Sequence, residues 1–507
     1  MNTFLMYINR SFTLQEGAQP NTDSLAQDLE LNTVLDAMAS KDEFLHDVAR
    51  VALLTGTNDP QTILYRQDIL RDCLAHESTV REIYNVAVEA IEGEKKEWRM
   101  TSSPGSVLYS SLIVMRLFVD SLARLRGIAE KNSEGFTSDG FVRFFEMVRR
   151  EISDDYLRTV KHHLDSLEFN KGVFISAKLG KGNKGVQYTL HCQPRRKRGW
   201  LRRILGRGQS ALSFEIGDRD ESGAMALSEL RDKGINQVAN VLAQSVDSIL
   251  NFFNVLRREL GFYICCLNLH HRLTRLGEPV CFPIPAGSGT RVLHAEDLYD
   301  VSLALRIGKV VGNNITADGK QLVFVTGANQ GGKSTFLRSV GLAYLMMQCG
   351  MFVGARSFSA EVSNGVFTHF RREEDATMTS GKLEEELRRM SEIVDRIGPG
   401  CVLLCNESFS STNEREGSEI ARQVVGALIE AGVRILFVTH FFDLAYRFYK
   451  LRLNNALFLR AERLEDGRRT FKIIEGEPLP VSYSQDLYRE IFVETESVTA
   501  TPSFTNG

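Results

Sequence analysis

The sequence predicts a mainly α N-terminal core and lever region carrying a small β insertion, followed by an α/β domain. Three observations carry this prediction. Helical periodicity runs almost unbroken from 24 to about 170, an alternating stretch lies between 171 and 217, and short apolar runs separated by helical stretches begin near 292. A chain of 507 residues has room for about three domains. With 43% hydrophobic and 25% charged residues it lies in the ordinary globular range, which excludes wholesale disorder and collagen-like repeats.

Turn signals at 55–60, 101–105 and 133–140 divide the helical region, which is expected to span 1–170. GVFISAKLG and GVQYTLHC then alternate on either side of a glycine-rich turn, and ALSFEIG follows a basic tract, so 171–217 read as a small basic β insertion. After it, Ile235, Val238, Leu242, Val246, Ile249, Phe253, Leu256 and Leu260 recur at steps of three and four, forming one apolar stripe. A helix from about 224 to 274, within a 218–290 segment, would span on the order of 75 Å. It is either one member of a bundle or a lever between distant parts. The runs QLVFVT (321–326), CVLLCN (401–406) and RILFVTH (434–440) are those of a parallel sheet covered on both faces, which makes 291–507 the α/β domain. Its last residues, 495–507, are polar and read as a frayed tail.

Lys and Arg number 61 against 64 Asp and Glu, a formal charge of −3, so the chain as a whole does not attract a polyanion. Any such surface must be local. The tract at 193–209 supplies one, with Arg195, Arg196, Lys197, Arg198, Arg202, Arg203 and Arg207 and no acidic residue. Three readings stay open for it: contact with nucleic-acid phosphates, a solvated loop, or a membrane-surface helix using Trp200, Leu201, Ile204 and Leu205. The first ten residues do not form a signal peptide, and no run of about 18 apolar residues occurs. The eight cysteines form no CxxC pair with histidine partners. A cytoplasmic chain with buried thiols and no membrane partner is the expectation.

The most specific motif is 327–334, GANQGGKS, which fits GxxxxGK[ST] after an apolar strand and before a helical stretch. In such a Walker A loop the glycines let successive N–H groups converge on phosphate oxygens at a helix N-terminus. The candidate nucleotide ligands are Gly327, Asn329, Gly331, Gly332, Lys333, Ser334 and Thr335, with Lys333 on the β and γ phosphates and Ser334 on Mg²⁺. VLLCNE (402–407) is a strand ending in Asn406-Glu407, where Asp-Glu is usual. Glu407 can orient or deprotonate the attacking water. Asn406 can accept from a metal-bound water but carries no charge. His440 ends the next apolar strand and either contacts the γ-phosphate or is a satisfied core histidine. Ser380 and Gly381 open an acidic helix that either offers N–H groups to a phosphate or is simply a capped, solvated helix. The 74 residues from Lys333 to Glu407 leave no room for the coiled-coil insertion of SMC-type ATPases.

On these motifs the sequence resembles the MutS family of DNA mismatch-repair ATPases. TGANQGGKST (326–335) is similar to the family's TGxNxGGKST, and the likeness continues through FLRSVGLAYLMMQCGMFVGA (336–355) and VFTHF (366–370). VVGNNI (310–315) looks like the FVPNDI element beside the adenine, which implies that role for Asn313 and Asn314. THFFDL (439–444) is similar to THYFEL, and ILYRQDILRDCL (63–74) more weakly to IxxRQxAVxxL. The resemblance implies an ABC-type P-loop ATPase domain using ATP and Mg²⁺. It also implies a homodimer or a heterodimer with a related subunit, in which Ser380 and Gly381 complete the opposite ATP site. The basic insertion would clamp DNA backbone, and the long helix would be a lever, in repair or recombination. Only about 60 residues precede Ile63, without an aromatic FxE wedge, so mismatch-recognition and connector domains, and mismatch specificity, are not expected. Asn406 replaces the family's Asp and SFSST (408–412) its IGRGT. A slow ATPase is expected, the alternative being a nucleotide-gated interaction or structural switch with negligible hydrolysis.

Overall fold

The computed structural model describes residues 1–15, 21–97, 103–169, 172–191, 215–217, 219–328, 330–372, 381–464 and 468–480. The chain divides into two compact units, one of residues 1–4 and 78–260 and one of residues 5–77 and 261–507.

The first unit holds α5 (Glu77–Glu97), α6 (Pro104–Asn132), α7 (Asp139–Glu151), α8 (Asp154–Leu167), the strands β1 (Phe174–Leu179) and β2 (Gly185–His191), and most of α9 (Glu221–Leu276). Local chemistry starts these helices: the side chains of Ser103, Ser138 and Ser153 each accept a backbone N–H in the first turn of α6, α7 and α8. Of the eight stripe residues on α9, seven are buried and Val238 is half-buried. Phe253 meets Phe118 of α6 at 5.5 Å between ring centroids. β1 and β2 form an antiparallel hairpin whose Ile175 seats on Gly234 of α9, where a Cβ would come within 2.3 Å of the Ile175 side chain. One stretch, Pro104–Gly135, is long and apolar enough to cross a membrane by length and composition, and 56% of its most apolar window is buried.

The second unit begins with α1 (Thr22–Asp28), α2 (Leu31–Ala39), α3 (Glu43–Thr55) and α4 (Pro60–Ala75) and resumes at the end of α9. A four-stranded sheet follows in the order β3-β7-β4-β5, from β3 (Ile284–Ala286), β4 (Leu293–Leu298), β5 (Asn313–Thr316) and β7 (Ser357–Glu361). A six-stranded sheet has the order β12-β11-β6-β10-β9-β8. Its strands are β6 (Leu322–Thr326), β8 (Val366–Phe370), β9 (Val402–Asn406), β10 (Arg434–Val438), β11 (Ala456–Arg463) and β12 (Arg469–Glu475). All neighbours are parallel except β12, which is an antiparallel edge. Helices α10 (Val301–Ile307), α11 (Lys333–Gln348), α12 (Lys382–Val394), α13 (Glu414–Glu430) and α14 (Phe442–Lys450) lie between the strands in sequence. Both the predominance of helix and the presence of mixed α/β sheets agree with the sequence reading.

The grouping of residues differs from the expected 1–170 and 218–290 segments. Residues 5–77 belong with the α/β sheets, and α9 is shared between the units after Leu260. The reason lies in α11, nearly every residue of which is buried, so that it needs cover on more than the sheet side. Its C-terminal carbonyls find their donors on α4 and the turn before it. Thr57 N donates to Gln348 O at 2.8 Å, and the buried Arg66 donates from Nη1 to Cys349 O at 3.2 Å and from Nε to Met6 O at 2.8 Å. Gly350, at φ 85°, is pressed on the Arg66 stem, 2.5 Å from where a Cβ would stand. An orphaned buried carbonyl costs about 1–3 kcal/mol. Arg66→Met should therefore lower the thermal midpoint of the nucleotide-free protein by several degrees, whereas the exposed Arg158→Met should leave it within a degree. Equal midpoints for the two variants, by scanning calorimetry, would remove this account of the division.

Candidate nucleotide site

Register brings the motif residues together. Val438 pairs with Val325 of β6 on one side and with Asn406 of β9 on the other, so β6, β10 and β9 end level at their carboxyl edge. The 327–332 loop, Glu407 and His440 follow these three ends directly. A crevice outside the carboxyl ends of parallel strands is where open α/β sheets hold ligands.

The loop wraps because its glycines take up space that other residues could not. Gly327 at φ 119° and Gly332 at φ 89° require the left-handed region, and a Cβ on Gly331 would lie 2.8 Å from the Ala461 methyl of β11. Lys333 opens α11 and is buried; its Nζ donates to Gly327 O and Ala328 O, both at 2.8 Å. Burial pushes its ammonium below the usual lysine range, and the Glu407 carboxylate opposes this. Ser334 is exposed beside it and donates from Oγ to Asn406 Oδ1 at 2.9 Å. Thr335 is half-buried one residue further on.

Glu407 has φ 53° and Phe409 φ 64°, two side-chain-bearing residues in a conformation they seldom adopt, which marks the turn after β9 as strained. The Glu407 carboxylate faces three cationic or ionisable groups. His440 Nδ1 lies 3.8 Å from Oε1, and Arg371 Nη1 lies 3.9 Å from Oε2. The His440 ring holds this carboxyl below the ordinary glutamate range, outweighing burial with help from Lys333 and Arg371. His440 itself is 41% exposed, so the core-histidine alternative does not hold.

The remaining site residues fall in several places. The buried Asn313 accepts from Ile473 N at 2.7 Å and donates to Phe471 O at 3.3 Å, tying β5 to β12. Asn314 Oδ1 accepts from Asp297 N at 2.8 Å. The amides thus hold the strands beside the loop in place. Gly381 is the N-cap of α12, whose first turn carries Glu384 and Glu385. Asn329, Ser380 and the cations Arg195, Arg196, Lys197, Arg198, Arg202, Arg203 and Arg207 lie outside the described residues. Three residues that sequence reasoning missed also belong to the site: Arg371 beside Glu407, and Phe471 and Arg469 beside the loop. Phe471 is 47% exposed at φ 59°, its backbone against Gly332, and Arg469 Nη1 donates to Gln330 Oε1. No spacing rule flags them, because the β12 edge and the residue after β8 reach the site only through tertiary pairing.

Ser334 Oγ and Asn406 Oδ1 are hard oxygen donors in contact at a helix N-terminus, which suits Mg²⁺ better than a softer metal. The ensemble offers a phosphate cradle, a cation, two metal-compatible oxygens and an ionised carboxylate.

Two family models match the chain: the MutS2 N-terminal domain over residues 58–276 and MutS domain V over residues 323–487. Among curated proteins, the DNA mismatch repair protein MutS of Thermotoga sp. (strain RQ2) is 32% identical over 168 residues, 33% of this chain and 21% of that protein. The corresponding protein of Chloroflexus aurantiacus (strain ATCC 29366 / DSM 635 / J-10-fl) is 32% identical over 167 residues, 32% of this chain and 17% of its own length. MutS protein homolog 4 of Mus musculus is 28% identical over 155 residues, 31% of this chain and 15% of its own length. The chain therefore spans about a fifth or less of the relatives it matches.

Because its carboxyl is held below the ordinary range in the fold, Glu407 contributes stability that is present above the unfolded glutamate pKa and lost as pH falls through the folded one. The melting-point difference between wild type and Glu407→Gln should thus favour wild type at pH 7 and close below about pH 4. A difference independent of pH would dissociate the carboxylate from this cluster.

Proposed function

Since the chain belongs to the MutS family, we propose that it is an ATP-dependent DNA-binding protein in which nucleotide state at the 327–334 loop governs a grip on DNA. The observation that carries the reading is the convergence of Lys333, Ser334, Asn406, Glu407 and His440 at the level ends of three adjacent parallel strands.

In this reading Lys333 leaves the two loop carbonyls and takes a phosphate oxygen, with the loop N–H groups and the N-terminus of α11 facing the same anion. Ser334 and Asn406 hold Mg²⁺, which when bound neutralises phosphate charge. Glu407, ionised and oriented between His440 and Arg371, accepts a hydrogen from the attacking water. His440, being exposed, is free to meet the γ-phosphate. Phe471 offers an aromatic face near the loop against which a base can stack. A second copy, or a related subunit, contributes the turn at Ser380 and Gly381 to the opposite site. The tract from Arg195 to Arg207 supplies backbone-directed DNA contact, α9 serves as the lever, and the setting is DNA repair or recombination in the cytoplasm.

The amide at Asn406 favours a second reading, a nucleotide-gated switch with negligible hydrolysis, because the metal shell lacks its usual negative charge. Lys333→Ala should abolish ATP binding in an equilibrium assay under either reading. Asn406→Asp decides between rates: kcat with Mg²⁺ should rise roughly ten- to hundred-fold if only this electrostatic contribution is missing. Wild-type turnover equal to that of Glu407→Ala would favour the switch instead.

Reversing the charges at Arg195, Arg196, Lys197 and Arg198 should weaken duplex binding and flatten the dependence of log affinity on log salt by about 0.9 for each DNA phosphate that is no longer neutralised. An unchanged slope would remove the tract from the DNA interface.

A further inference from the structure

Immediately after Glu407 the chain departs from the MutS pattern, with SFSST at 408–412. The first of these serines is fully buried and faces an equally buried histidine. β8 runs parallel to β9 with His369 opposite Cys405, and His369 Nδ1 lies 2.7 Å from Ser408 Oγ. On its other side the ring reaches α12, with Nε2 3.0 Å from the Glu386 carbonyl. Ser408 Oγ is also 2.8 Å from the His369 carbonyl.

Burial, reinforced by Arg389 and Arg372, pushes the His369 imidazole down to about 4, so the ring is neutral at pH 7. A neutral ring facing a carbonyl through Nε2 must carry its hydrogen there. Nδ1 is then bare and accepts from the Ser408 hydroxyl, which divides one hydrogen between that nitrogen and the His369 carbonyl. A serine and a histidine at this distance resemble a nucleophile with its base. Neither has any exposed surface, so no substrate reaches them and the pair has a mechanical role.

Neighbouring bonds attach the same helix to that turn and to the end of β8. Ser411 Oγ donates to Glu386 Oε1 at 3.0 Å, and Arg389 donates from both terminal nitrogens to Phe370 O at 3.1 Å. Ser408 lies between Glu407 and Phe409, both in the left-handed region, a conformation that persists only where surrounding bonds over-determine it, and Ser411 closes the turn two residues on.

We propose that His369 is a positioning residue: by bridging Ser408 to the Glu386 carbonyl it fixes the Glu407 carboxylate relative to α12, so that the helix opened by Gly381 and the water-orienting group move as one body. The proposal rests on the reading of Glu407 given above. It assigns a purpose to the serine-rich departure at 408–412, which otherwise looks like simple loss of the family pattern.

The test uses the full chain and three variants. His369→Phe keeps the ring volume and removes both hydrogen bonds. His369→Gln restores one acceptor and one donor, and Glu407→Gln sets the hydrolytic background. ATP affinity, measured with a fluorescent N-methylanthraniloyl ATP, should stay within about two-fold in His369→Phe while kcat falls ten-fold or more. His369→Gln should recover at least a third of the wild-type kcat. An active wild type with unchanged kcat in His369→Phe would overturn the proposal alone, as would parallel losses of affinity and kcat or no recovery in a folded His369→Gln. A wild type no faster than Glu407→Gln would overturn the hydrolytic reading of Glu407, and the positioning role with it.

Discussion

Val438 lies between Val325 and Asn406, paired to both, and this shared level of three parallel strands is the constraint on which the site depends. A slip of one residue in either pairing would turn every side chain of that strand to the other face of the sheet. It would bury Glu407 or His440 in the helix layer and remove one of them from the loop. The register is held from below by packing: Leu322, Phe324, Leu403, Cys405, Ile435 and Phe437 all belong to one buried cluster with α13 and α14. Hydrophobic alternation therefore does more than build the sheet, because it sets the height at which the polar residues leave it.

The same economy governs α11. Its N-terminus faces the candidate phosphate site, and its C-terminus is closed by Thr57 and by the cationic Arg66, as the negative end of a helix dipole favours. Lateral restraint comes from Arg338, which bonds Glu30 at the start of α2 and Asp300 at the cap of α10. Burial pushes the Asp300 carboxyl up while Arg338 opposes it, so the pair is mutually dependent. These bonds join residues 5–77 to the helix that packs on the sheets. That is the physical reason for those residues to belong with the sheets.

Much of this was legible in the sequence. The α9 stripe, the hairpin between 171 and 217, and the apolar runs of β6, β9 and β10 follow from periodicity, and the loop follows from glycine spacing together with its strand and helix context. Other features were not. The likeness at 63–74 did not show that Arg66 and Gln67 are both buried, with Gln67 donating to Pro283 O at 2.9 Å. The family likeness sets Asn313 beside the adenine and does not report that its amide spans two strands. His369 and Ser408 lie 39 residues apart and neither belongs to a spacing pattern. Periodicity reports which face of an element is buried. It does not report which buried polar group meets which, since that depends on pairings across tens or hundreds of residues.

The electrostatics around Glu407 tie these parts to one consequence. Glu407 faces the cationic side chains of Lys333 and Arg371, with the exposed His440 ring beside it. An aspartate at 406 would place a second carboxylate against Ser334 and, by like-charge repulsion, push the Glu407 carboxyl back up. The amide avoids that repulsion, so Glu407 keeps its lowered pKa beside His440, Lys333 and Arg371. What is given up is charge stabilisation of the metal shell, which matters most as charge develops during transfer. In the proposed function, a site so arranged retains nucleotide more readily than it turns it over.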